Sequence, residues 1–439
     1  MPHRKHTASD PGIRMAAPKT VILPMVQHIG APAEPVVKVG DEVFVGTLVG
    51  RASSFVSANV HSSVSGRVVK IDSFLQSNGQ SCPSIIIESD GKMELDPSIA
   101  PPKVDSFEEL SAAAKDAGLC GLGGAGFPTH VKLDPKRIGE VDTLLLNGAE
   151  CEPYITSDTR VMLDRSEDIK EGIEKIFALT NISRAIIGIE KNKPECVEHL
   201  RQIFAYEPRV EVEALPSKYP QGGEKILIHN TTGRIVPEGE LPVDVGVLVL
   251  NVTTLATLAK YLRDGIPLVE KLVTVDGSAI AEPKNIFAPI GATLESVIEA
   301  AGGYKTTPGK VMLGGPMMGV TVYSTEDTPI MKNTNAVTAL SEKDTVTKRR
   351  FECVHCGRCV SVCPMGLNPP LFAKSMRIES KEERVAAIRE AKTNLCIECG
   401  CCSFVCPSAR PLVENNRLAK AELRAYAIEV ANKKKEAEK

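Results

Sequence analysis

The chain has 439 residues, of which 43% are apolar and 24% charged, with a formal net charge of −3. That length exceeds one ordinary hydrophobic core, so two to four domains are expected, and the near-neutral balance excludes the strong basic excess of a chain whose main work is binding nucleic acid. The absence of tryptophan and an aromatic content of 4% argue equally against base stacking, and nowhere do the roughly 18 to 20 apolar residues of a membrane span run uninterrupted.

At the N-terminus, "HRKH" is a basic cluster with no apolar stretch behind it, and it reads as a disordered basic tip rather than a lipid anchor or a secretory signal. The expectation is a cytoplasmic chain whose thiols stay reduced. Thirteen cysteines, eight of them in two regular runs, then point to metal rather than disulfides. From Glu34 to Ile71, short β runs alternate with glycine turns and close on "SGRVVKI". "SFEELSAAAKDAGL" predicts a polar helix, and "GLGGAGFPTHVK", Gly121 to Lys132, follows it directly.

Glycines let backbone approach a phosphate or an aromatic ring closely, and their bare N–H groups bind anions. Lys132 adds a charge. Taken alone the loop also fits a tight surface turn, because it follows no predicted strand and no Walker lysine is present. "VDTLLLNGAECEPYITSDTR" predicts a buried strand, "TLLLN", that ends in a polar loop with Glu150 and Glu152 on either side of Cys151. Strand ends of this kind are where open α/β sheets bind ligands. Two carboxylates suit the hydroxyls of a ribose or ribityl chain; a solvated acidic turn is the alternative. "VGVLVLNVTTLATLAKYL" is broken by Asn251 and several threonines and predicts a buried strand followed by a helix. "LGGPMMG", Leu313 to Gly319, reads as a packed turn with no assigned role.

The two cysteine runs come last. Cys353, Cys356, Cys359 and Cys363 precede Pro364; Cys396, Cys399, Cys402 and Cys406 precede Pro407. Both are C-x2-C-x2-C-x3-C-P, the spacing of bacterial two-cluster ferredoxins, in which the fourth cysteine of each run reaches the other cluster. One [4Fe–4S] cluster is therefore expected on Cys353, Cys356, Cys359 and Cys406. The second is expected on Cys396, Cys399, Cys402 and Cys363. Zinc prefers two separated pairs to a triplet with a proline-flanked fourth thiol. Cys401, the extra thiol in "CGCC", reads as a bystander. The charged, helically periodic spacer between the runs predicts an alpha-helical ferredoxin module with inserted helices. The tail from Pro411 onward predicts a charged helix, either solvated or docked on a membrane partner.

"GLGGAGFPTHVK", "NGAECEP", "YPQGGEKIL" and "LNVTTLA" resemble the flavin- and NADH-binding subunit of respiratory complex I. With "VILPMVQHIGAPAEPVVKVGDEVFVGTLVG" near the N-terminus and the paired runs near the C-terminus, nearly the whole chain is similar to the RnfC family, whose members are subunits of the Rnf complex, a membrane-bound ferredoxin:NAD oxidoreductase. The resemblance implies a multidomain α/β chain. Residues 1–100 would form a barrel-sandwich hybrid-like domain, 101–265 an FMN/NADH-binding α/β domain, 266–340 a β-grasp (SLBB-like) domain, and 341–439 an alpha-helical domain with two [4Fe–4S] clusters and a C-terminal helix. Gly121, Gly123, Gly124 and Gly126 would lie against non-covalent FMN, Lys132 at its phosphate, and Asn147 and Asn251 beside the flavin. Glu150 and Glu152 would face the nicotinamide nucleotide, with Tyr219, Gly222 and Glu224 making further contacts. Ala149 and Gly223 stand where the complex I pattern carries acidic residues. Lipoyl-type domains carry a lysine at a hairpin tip, whereas "RASSFVSANV" has none, so the N-terminal domain is expected to be structural or to dock a partner.

The implied function is a peripheral translocase subunit with no side-chain acid or base in catalysis. It would exchange a hydride between NAD(H) and FMN and pass single electrons through the clusters to other Rnf subunits, including the ferredoxin-like iron–sulfur subunit and the membrane subunits. A soluble cobalamin reductase of the propanediol-utilisation type and a flavin-less iron–sulfur scaffold are the alternatives.

Overall fold

The computed structural model describes residues 4–76, 79–346 and 348–437. The chain divides into two compact units, Met1–Thr345 and Val346–Lys439.

In the first unit, residues 20–89 build two small antiparallel sheets. One holds strands Thr20–Pro24, Ser81–Ser89, Gly66–Leu75 and Glu42–Val43; the other holds Ala33–Pro35, Leu48–Ala52 and Val60–His61. Alternating valines and isoleucines point between them: Val21, Leu23, Val49, Val60, Val68, Ile85 and Ile87 are buried. This is the barrel-sandwich arrangement expected, and the lysine-free tip is folded back. His130 Nε2 donates to Phe55 O at 2.8 Å, and Ile29 N–H donates to Gly126 O at 2.9 Å. The barrel thus buttresses the glycine-rich loop.

The helix read from "SFEELSAAAKDAGL" runs Phe107–Asp116. Ser106 caps it, and Glu109 reaches back to the Ser106 N–H, which satisfies two of the first-turn donors. Next come four parallel strands in the order Val210–Leu215, Arg184–Glu190, Thr143–Asn147, Val247–Asn251. The strands are apolar without alternation because both faces are covered. Leu144, Leu146, Ile187 and Leu248 pack towards helices Ser166–Leu179 and Val252–Asp264. Leu145, Ile186, Val247 and Val249 pack towards helix Glu224–Thr232.

A six-stranded mixed sheet completes the unit, in the order Ile13–Arg14, Lys284–Pro289, Glu270–Asp276, Ala336–Ser341, Pro308–Leu313, Val320–Thr321, with helix Leu294–Ala300 beside it. This is the β-grasp element. Its outermost strand comes from the N-terminal segment, with Ile13 and Arg14 pairing parallel to Ile286 and Phe287. Of the "HRKH" cluster, His3 lies outside the described residues, and Arg4, Lys5 and His6 form no disordered tip. From Arg4 onward it lies folded in the first unit, for a reason given below.

The second unit is helical: Arg358–Ser361, Pro369–Ser375, Lys381–Glu390, Cys401–Phe404 and the long Leu412–Ala437. The last packs against Pro369–Ser375 and Lys381–Glu390, with Leu412, Val413, Asn416 and Ala419 buried. Arg384 Nη2 pairs with Glu422 at 2.7 Å, and Lys381 pairs with Glu429. The tail is therefore a docked structural helix, not a freely solvated one. No helix among the described residues is long and apolar enough to cross a membrane.

Candidate functional site

In the parallel sheet the chain steps twice to one side of strand Thr143–Asn147 and then crosses to the other side for Val247–Asn251. The reversal leaves a crevice at the carboxyl ends of those two strands, the place where open α/β sheets take ligands. Asn147 and Asn251 sit opposite one another there, in register. Asn251 is the cap of helix Val252–Asp264: its Oδ1 accepts from the N–H groups of Thr253 and Thr254 at 3.0 and 3.2 Å. Its Nδ2 donates to Asp158 Oδ2 at 2.8 Å.

The glycine-rich loop closes over this end. Gly121 N–H donates to Phe127 O at 2.7 Å, Leu122 N–H to Thr254 Oγ1 at 2.9 Å, and buried Lys271 donates to Leu122 O at 2.5 Å. A Cβ on Gly123 would lie 3.0 Å from the Asn251 amide, which would have to give way. Gly124 and Gly126 hold φ of +112° and +66°, with Asn333 Nδ2 donating to Gly124 O at 3.3 Å. Lys132, on the short helix Thr129–Lys132, pairs with Glu224 and donates to Val249 O at 3.2 Å. Two residues separated by 92 positions are thus joined at the crevice rim.

The segment after Asn147 is the hub. Asn147 Nδ2 donates to Gly222 O at 2.9 Å, and Gly222 N–H donates to Cys151 Sγ at 3.4 Å. The "YPQGGE" loop with Tyr219, Gly222 and Glu224 therefore sits directly on the "NGAECEP" loop. Burial pushes the Cys151 thiol up to about 12.

The two carboxylates have different surroundings. Glu150 lies at a left-handed φ of +45° with its carboxylate turned inward, accepting from Asp158 N–H at 2.6 Å and Thr159 Oγ1 at 2.5 Å. Burial raises its pKa. Glu152 accepts from Met317 N–H at 3.1 Å and Met318 N–H at 2.7 Å, and burial raises its pKa too. The "LGGPMMG" turn without an assigned role is thus tied to the site through Glu152. Sequence reasoning missed Lys193 and Asp158 here, and no local pattern marks them. Lys193 Nζ, buried, donates to Ala149 O at 2.6 Å and lies 3.4 Å from Glu190.

In the second unit both cysteine runs fold alike. His355 and Gly357 hold φ of +53° and +74°; Glu398 and Gly400, in the same places of the second run, hold +57° and +77°. Each pair turns the chain around its thiols and starts a one-turn helix, Arg358–Ser361 or Cys401–Phe404. Cys353, Cys356 and Cys359 from the first run and Cys406 from the second line one cavity of about 710 Å³. Bacterial ferredoxin spacing requires this crossing.

For the other set, Cys363 and Cys396 pack on one small core with Leu367, Phe372 and Ala391. Cys399 is buried and lies within electrostatic reach of Cys396 and Cys402. Among the described residues no group of three or more His, Cys, Asp or Glu side chains is placed to hold a metal ion; the first set rings a volume instead. Cys401, the extra thiol, is buried, and its hydrogen bond to the Cys399 sulfur brings Cys399 down to about 7.

Comparison with known proteins follows the same division. The family model of the Nuo51 FMN-binding domain matches residues 114–260, and that of the RnfC barrel sandwich hybrid domain matches 1–92. An SLBB domain matches 272–321, and 4Fe-4S dicluster domains match 345–407 and 319–368. Over 387 residues the chain is 43% identical to the C subunit of the proton-translocating ferredoxin:NAD(+) oxidoreductase complex of Clostridium ljungdahlii, covering 87% of this chain and 84% of the relative. It is 43% identical over 374 residues to the Na(+)-translocating counterpart of Acetobacterium woodii, covering 84% of each. It is 38% identical over 389 residues to the C subunit of the ion-translocating oxidoreductase complex of Rhodobacter capsulatus, covering 87% of this chain and 74% of the relative.

Proposed function

Because the chain belongs to the RnfC family, the C subunits of ion-translocating ferredoxin:NAD(+) oxidoreductase complexes, we propose that it is the component of such a complex that exchanges electrons with NAD(H). It would sit peripherally on the cytoplasmic face of the membrane, with ion transport residing in other subunits. When bound, FMN supplies hydride exchange with NAD(H) and one-electron release, and two [4Fe–4S] clusters supply one-electron carriage.

The chain's own residues position these groups. Gly121, Gly123, Gly124 and Gly126 present bare backbone at the crevice, a cradle that a Cβ at Gly123 would fill. Lys132 supplies the positive charge for a phosphate, with Glu224 holding the ammonium at the rim. Asn147 and Asn251, in register at the strand ends, would hold the flavin side. Glu152, Tyr219 and Gly222 build the nucleotide side, while Glu150, its carboxylate turned inward onto Asp158 and Thr159, orders the loop from within rather than facing the nucleotide. Cys353, Cys356, Cys359 and Cys406 would hold one cluster, and Cys363, Cys396, Cys399 and Cys402 would hold the other.

The observation that carries this reading is the cavity ringed by three thiols of one run and the last thiol of the other. The decisive experiment is iron, sulfide and flavin analysis of anaerobically prepared protein with an NADH-bleaching spectrum. About eight irons and one FMN per chain are expected. An absence of FMN with a spectrum untouched by NADH would replace this function with a flavin-less cluster scaffold.

A further inference from the structure

The N-terminal segment is built into the floor of the nucleotide-side loop. Lys5 Nζ donates to three backbone carbonyls of that loop, Glu150 O at 2.7 Å, Glu152 O at 2.9 Å and Ile155 O at 2.5 Å, and its charge lies 3.8 Å from the Glu150 carboxylate. The Lys5 side chain is 12% exposed and that of Glu150 3%. On either side of Lys5, Arg4 hydrogen-bonds the Tyr154 hydroxyl and His6 Nδ1 meets Asp276 at 3.0 Å.

One residue further, Thr7 enters a buried polar network: Thr7 Oγ1 to Thr156 Oγ1 at 2.5 Å, Thr156 N–H to Thr274 Oγ1 at 3.0 Å, and Asn285 Nδ2 to Thr7 O at 2.8 Å. The loop so held is strained. Glu150 and Tyr154 are non-glycine residues at φ of +45° and +72°, conformations that persist only where surroundings over-determine them. Lys5 caps the carbonyls of Glu150, Glu152 and Ile155, and Lys193 holds Ala149 O at 2.6 Å and reaches Glu150 O at 3.4 Å. The other face of the same loop carries Asn147, Cys151 and Glu152, which seat the "YPQGGE" and "LGGPMMG" loops.

We infer that Lys5 is a positioning residue for nicotinamide nucleotide binding: its ammonium gathers three carbonyls and so holds the Glu150–Ile155 loop in its binding shape, without touching flavin or clusters. The inference rests on the functional reading above and deepens it. A buried ammonium suits the task because it donates in three directions from one point. Neutral methionine of similar length would strip the Glu152 and Ile155 carbonyls of their Lys5 donor and leave Glu150 O only the 3.4 Å contact from Lys193, and the left-handed residues would relax.

The test uses the full chain with its flavin and clusters, prepared anaerobically, as the native form and as Lys5→Met. Two readouts are needed: the KM and kcat for NADH, and alkylation of Cys151 by iodoacetamide followed by mass spectrometry. The expected result is a KM raised at least about tenfold with kcat, flavin and iron content unchanged. Cys151 should be alkylated faster, while Cys82 and Cys120, buried elsewhere in the same unit, stay protected. Lys5→Arg, which keeps the charge and part of the donor set, is expected between the two, and it carries the comparison if the methionine variant does not fold.

Unchanged Cys151 labelling, or faster labelling with an unchanged KM, overturns the role of Lys5. Loss of flavin together with the KM change does so too, because the segment would then support the whole domain. A native chain that shows no response to NADH overturns the underlying function instead, and the two failures are distinguishable.

Discussion

Single residues show how neighbouring groups change the chemistry that a sequence pattern promises. Cys401 completes no ligand set, yet its hydrogen bond to the Cys399 sulfur is the kind of contact that tunes cluster potential. Donation to a cluster sulfur favours the reduced, more negative state. Cys401→Ala is expected to lower the potential of the cluster proposed on Cys396, Cys399, Cys402 and Cys363 by about 40 mV, the equivalent of a hydrogen bond of about 1 kcal/mol in a one-electron couple. A redox titration followed by paramagnetic resonance measures this, and an unchanged potential would return Cys401 to the role of bystander. Lys132 gives a second case. Its ammonium is held by Glu224 and Val249 O, and the role proposed for it is to meet the flavin phosphate. Lys132→Met is expected to lower the flavin-to-iron ratio after gel filtration while iron content stays at the native level.

At the level of elements, the two cysteine runs are one device built twice. A left-handed residue before the second cysteine and a left-handed glycine after it reappear 43 positions later with φ values within a few degrees. Space around Gly357 is open, with no atom within 4 Å of a built Cβ, so the demand there is conformational alone. Gly357→Ala should lower the stability of the loaded protein by about 1 kcal/mol, read as a drop in Tm, whereas Gly357→Asn, which tolerates the left-handed region, should stay close to native. Equal losses for both would locate the requirement in packing. This much of the second unit was legible from spacing, because thiolate geometry around a cubane is local. The docking of helix Leu412–Ala437 was not. Its charges suggested solvent, and only the tertiary arrangement supplies Glu398, Arg384 and Lys381 as partners.

Across the whole first unit, distant segments meet on buried cations. Lys332 is fully buried and donates to Gly118 O at 2.7 Å and to Asn59 O, joining the loop before strand Ala336–Ser341 to the barrel and to the end of helix Phe107–Asp116. Burial lowers its pKa from 10.5 to about 8. The unfolded chain therefore binds this proton more tightly, and stability rises with pH from about 8 to about 10.5, with the full penalty below 8. Lys332→Met removes the proton linkage. The native chain should gain more stability than the variant between those limits, by on the order of 3 kcal/mol, as measured by chemical denaturation across pH. Parallel curves would mean that the ammonium is not the titrating group.

Spacing and periodicity were enough to specify the class of chemistry and the local elements that carry it: two crossed thiol sets, a glycine-rich loop, apolar strands running into "NGAECEP" and "NVTTLA", and a polar helix ahead of them. Those signals act over a few residues and can be read in order along the chain. The orientation of Glu150 and Glu152, the pairing of Lys132 with Glu224, the attachment of "LGGPMMG" to the site and the conversion of the basic N-terminal segment into a buried brace came from long-range packing alone. They depend on burying charges, and a buried charge is satisfied by whichever distant carbonyl or carboxylate the fold brings to it. Lys5 and Glu150 are 145 residues apart, a separation across which no periodic pattern can speak.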